Sequence, residues 1–65
     1  MDKMLIIEKI AQKVAEVTSK DADRYDQIWA IKKELIDTGH SLFATDRETI
    51  DDILDILFEE YGFDG

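Results

Sequence analysis

Most of the side chains able to do chemistry here are carboxylates, and four of them are regularly placed. Glu48, Asp52, Asp55 and Glu59 stand at i, i+4, i+7 and i+11. On a helix they fall within about 60° of one another and span about 16 Å. Asp46, Asp51, Glu60 and Asp64 flank them. Carboxylates strung along one outward line do not converge on a substrate atom or an ion. They present a ridge of negative charge, and the chemistry that suits a ridge is pairing with lysines and arginines on another surface.

The remaining candidates for chemistry are few. The chain has no cysteine and a single histidine, His40. A nucleophilic serine needs a base beside it, and no pattern in the chain supplies that pair. Asp37 and His40 stand at an Asp-x-x-His spacing that resembles half of a helical-bundle metal motif. The further inward carboxylates such a site needs are missing. Asp21, Asp23 and Asp26 suggest a calcium loop, but its sixth position would be Asp26 rather than glycine and its twelfth Lys32 rather than glutamate. No metal and no cofactor is expected, and the protein reads as non-enzymatic.

Charge is divided unevenly between the two halves. Residues 1–33 carry six acids and seven bases, whereas residues 34–65 carry ten acids and only Arg47. The halves are +1 and −9, which gives the net −8 of the chain. Such a tail repels phosphate, so direct nucleic-acid binding is not expected. Lys9, Lys13 and Lys20 form a modest basic stripe on the first helical segment, suited to solvent or to another copy's acidic face. The apolar run near the start, Met4–Ile7, is far shorter than the about 20 residues of a membrane span. Neither a membrane nor a secretory route is expected, and absence of cysteine fits the reducing cytoplasm.

Three amphipathic segments must position these groups, and the expectation is one all-α domain over residues 1–65, a small three-helix bundle. The helices are placed at about 3–18, 22–38 and 46–61. Asp2 is expected to cap the first, which buries Ile7, Ile10, Ala11, Val14 and Val17, with Ile6 widening its arc. Asp21 is expected to cap the second, which uses Tyr25, Ile28, Trp29, Leu35 and Ile36, with Ile31 widening it. Within that arc Lys32 lays its stem on the core, and Trp29 and Lys32 are candidates for a dimer seam or a partner hot spot. Gly39 ends the helix.

The third helix is the most regular: Ile50, Ile53, Leu54, Leu57, Phe58 and Tyr61 form its apolar stripe. Thr45 through Glu48 reads as a capping box, and Gly62 as the stop. Leu42 and Phe43, in the connection, are expected to plug one end of the bundle. The four residues Thr18–Asp21 include neither glycine nor proline. One continuous helix over 3–38, about 54 Å long and forced to dimerise, is therefore the alternative architecture. Even the bundle is near the lower size limit for a single core, so a homo-oligomer is weighed alongside a monomer.

Gly39-His40-Ser41-Leu42-Phe43-Ala44-Thr45 resembles the attachment motif of peptidyl carrier domains. That resemblance covers seven residues and implies a phosphopantetheine arm on Ser41, with an acidic recognition helix opening at the serine. The residues as a whole point instead to an interaction protein. Its expected partner-binding groups are Glu48, Asp51, Asp52, Asp55 and Glu59, and its expected partner is a basic protein surface, such as that of a nucleic-acid-binding protein. A self-assembling bundle with a merely solubilising acidic face is the alternative, and a carrier-like domain modified at Ser41 the minor one.

Overall fold

A computed structural model describes residues 2–64. Within it the chain forms three α-helices, α1 (Lys3–Val17), α2 (Arg24–Asp37) and α3 (Arg47–Tyr61), with a 3-10 turn at Phe43–Thr45 between the last two. Every pair of helices packs together. The longest dimension is 29 Å, which rules out the continuous helix of about 54 Å.

The break between α1 and α2 is made by side chains that compete with helical hydrogen bonding. Thr18 is extended, the Ser19 hydroxyl accepts the Asp21 amide at 3.1 Å, and the Ser19 carbonyl accepts the Ala22 amide. That turn consumes the position expected to cap α2. The cap is Asp23 instead, whose carboxylate accepts the Asp26 amide at 2.9 Å. Asp2 caps α1 as expected, accepting the Met4 amide at 3.0 Å.

The cap of α3 also differs from expectation. Thr45 still belongs to the 3-10 turn, and its hydroxyl donates to the Leu42 carbonyl. Asp46 is the first extended residue, so its carboxylate takes the Glu48 amide and the buried Thr49 hydroxyl, the latter at 2.6 Å. Lys3 reaches the same carboxylate at 3.6 Å and ties the start of α1 to the start of α3. The Thr49 hydrogen bond, helped by the Lys3 charge and the Glu48 amide, outweighs desolvation and holds the Asp46 pKa below its ordinary 3.8.

The core is drawn from all three helices: Ile6, Ile7, Ile10, Ala11 and Val14 from α1, Ile31 and Leu35 from α2, and Ile50, Ile53, Leu54 and Leu57 from α3. Val17, expected inside, is exposed because α1 ends there. The larger correction concerns α2. Its buried line is Gln27, Ile31 and Leu35, with Ile28 half-buried beside it. Tyr25, Trp29 and Ile36 lie on a second line about 130° around the helix and face outward. The expected arc straddled both lines. Lys32 belongs to the outward one and is exposed.

Gln27 can be buried because its side-chain amide donates to the Ala22 and Asp64 carbonyls, joining the α2 entry to the chain end. The chain end reaches that point through Gly62, whose φ of +74° turns the backbone back. Phe63 then donates its amide to the Leu57 carbonyl and inserts its ring into the core, leaving 2% of the residue exposed. Phe58, expected in the stripe, is 60% exposed, and Tyr61 is half-buried. Gly39 closes α2 in the left-handed conformation at φ +85°. In the following link Phe43 and Ala44 pack on the core, but Leu42 points to solvent and plugs nothing.

Candidate functional site

The outer surface of α3 holds the carboxylate series. Its inner stripe, anchored by Ile53 and Leu57, fixes the rotation of the helix. Glu48, Asp55 and Glu59 are exposed and Asp52 is half-buried. Among the described residues no charged lysine or arginine nitrogen comes within 4.0 Å of the carboxylate of any of these four. Asp51 differs. It sits between Arg24 of α2 at 4.0 Å and Arg47 of its own helix at 3.9 Å. Part of its charge is spent inside the molecule, and the free ridge narrows to four acids.

The ridge works against the helix that carries it. Glu48/Asp52 and Asp55/Glu59 are like-charge i,i+4 pairs, each costing about 0.2–0.5 kcal/mol. The last turn of α3 contains no base, although bases are what the negative end of a helix dipole favours. Phe58 lies one turn from Asp55 and beside Glu59, so an exposed aromatic ring borders the acids. Sequence reasoning placed that ring in the core. The signal that could have moved it outward was Phe63, a competing aromatic just past a glycine stop.

A second outward feature lies on α2. Trp29 is 66% exposed, and Lys33 holds its ammonium 5.7 Å from the indole ring centre. Trp29, Lys32, Lys33, Ile36 and Asp37 line a shallow open groove. On the other side of Trp29 a further groove runs between α1 and α2, lined among others by Val17, Asp26 and Lys33.

The remaining candidates are dispersed. His40 is half-buried, with its amide on the Leu35 carbonyl at 2.7 Å and its ring 6.3 Å from Phe43. Asp37 is exposed at the end of α2. No group of three or more histidine or acidic side chains among the described residues is placed to hold a metal ion. Ser41 is exposed on the turn, and α3 opens at Arg47 rather than at the serine. Lys9 and Lys13 are exposed on α1, whereas Lys20 lies in the turn that follows. Among the described residues no helix is long and apolar enough to cross a membrane.

Comparisons of the chain with family models, with curated proteins and with solved structures find no match.

Proposed function

We propose that this protein is a small non-enzymatic regulator or inhibitor that docks on a basic surface of a partner protein through the outer face of α3. Glu48, Asp52, Asp55 and Glu59 supply the ion pairs, Asp51 borders them, and Phe58 offers an apolar contact at the edge. The observation that carries this reading is the set of four carboxylates on one helix face with no ion pair to a lysine or arginine among the described residues. Their mutual repulsion, together with the acids at the helix end, costs on the order of 1 kcal/mol. A domain of this size has about 3–10 kcal/mol in all. A surface serving only solubility would intersperse lysines and recover that energy.

A partner that relieves the repulsion gains from it, because each incoming base is set against more than one acid. Lysines and arginines that otherwise grip nucleic-acid phosphates have the matching charge, so blocking such a groove is the regulatory action we assign. A cysteine-free chain suits the reducing cytoplasm, the compartment we assign to it.

The experiment is affinity capture with paired baits, the wild-type chain and Asp52→Lys/Asp55→Lys. A partner with a basic patch should bind the wild type, release as salt rises, and lose at least about tenfold in affinity for the reversed chain. A partner held equally by both baits would show that the ridge is not the docking surface.

A further inference from the structure

The outward line of α2 is unexplained by the acidic ridge, which lies on another helix. Tyr25, Trp29, Lys32 and Ile36 follow one another at i, i+4, i+7 and i+11. Tyr25 is 84% exposed and Ile36 56%. Three large apolar side chains in one line on a 65-residue protein form a helix face that the described residues leave largely uncovered. Val17 extends the apolar surface along the α1 side.

The charges beside this line identify what fits it. Asp26 and Lys33 are seven residues apart, so two helical turns bring them back within about 20° of each other. Both line the same groove beside Trp29, which places an acid at one end of that flank and a base at the other. Neither side chain has an ion pair among the described residues. A two-fold axis perpendicular to α2, passing between Trp29 and Ala30, keeps this flank on the same side and reverses its direction. Asp26 then comes level with Lys33 of a second copy, and Lys33 with the second copy's Asp26.

The same operation sets Trp29 against the second copy's Trp29 and brings Tyr25 within one turn of the second copy's Ile36 and Lys32. Aromatic stacking, an aromatic–aliphatic contact and two reciprocal ion pairs arise together from one register. A parallel copy, related by a two-fold along the helix axis, would instead put this flank on opposite sides of the pair and form neither ion pair. We infer that the outward face of α2 is a self-complementary interface at which two copies of this chain pair antiparallel around Trp29.

Trp29 is the only tryptophan, so its fluorescence reports on this surface alone. Light scattering and tryptophan emission are followed together over about 10 µM to 1 mM protein, a range suited to a small interface. The expected result is a rise from monomer to dimer mass with a blue shift of emission over the same concentrations. Asp26→Lys and Lys33→Asp should each weaken association by about tenfold, because each places like charges at both ends. An equimolar mixture of these two variants should recover it, since each end of the mixed pair again opposes a base to an acid. Trp29→Ala should abolish it, with circular dichroism confirming that every variant is folded. A chain that stays monomeric to about 1 mM with unchanged emission overturns the inference, and the stripe then belongs to a different partner. A dimer indifferent to Trp29→Ala, or single variants that fail to rescue one another, also overturns it.

Discussion

Two phenylalanines five residues apart should respond very differently to the same truncation. Phe63→Ala removes the ring of a residue that is 2% exposed and is held in place by the Gly62 turn and the hydrogen bond from its amide to the Leu57 carbonyl. Deleting a buried phenylalanine side chain costs about 3–5 kcal/mol, counting lost transfer energy and the cavity left behind. The whole domain commands about 3–10 kcal/mol, so this variant should lose a third or more of its stability and could approach complete unfolding. Phe58→Ala removes a ring on a residue already 60% exposed. Full burial of phenylalanine is worth about 1.5–3 kcal/mol, and the covered fraction scales that to about 1 kcal/mol. Urea titrations followed by far-ultraviolet circular dichroism measure both midpoints, with the slope checking that the denatured state is unchanged. Equal losses, or a larger loss at Phe58, would refute the argument that the chain end is folded back as part of the core.

Further outcomes follow from the same geometry. Gly62→Ala meets no atom within 4 Å of the new side chain, so its cost is the left-handed backbone alone. That is about 1–2 kcal/mol in the same titration, with Gly62→Asn costing less. Gln27→Leu keeps the volume but strips the hydrogen bonds to Ala22 and Asp64. It should destabilise by about 1–3 kcal/mol and raise amide exchange at the chain end. Asp55→Lys converts the repulsive pairs with Asp51 and Glu59 into attractive ones. It should stabilise the fold by about 1 kcal/mol at low salt while weakening partner binding, and the gain should shrink in high salt. The folded pKa of Asp46 lies below its ordinary 3.8, so the stability it contributes is present above that value and is lost as pH falls through the folded one. Asp46→Asn retains a capping oxygen, and its stability deficit relative to wild type at neutral pH should close as the solution is acidified below pH 3.8. A deficit independent of pH would mean the charge plays no part.

Local rules made several features readable before any fold was known. Ile50, Ile53, Leu54 and Leu57 repeat on one face of a helix, so that face goes inward and the acids opposite it outward. Asp2 and the two helix-ending glycines act within a few residues of themselves, and each does what its chemistry prescribes. The three-helix architecture followed from those local signals. The misplaced residues are the ones whose partners lie far along the chain. On α2 two lines of side chains share helical spacing, and periodicity alone cannot say which one a neighbour will cover. The line with Gln27 won because the carbonyl of Asp64, 37 residues away, accepts its amide and removes the penalty for burying it. Phe63 took the core site that Phe58 seemed to own only because Gly62 reverses the chain. Asp51 left the free ridge because α2 brings Arg24 alongside it. Helical period belongs to the backbone and is written residue by residue, whereas burial is a contest between distant segments, decided when they meet.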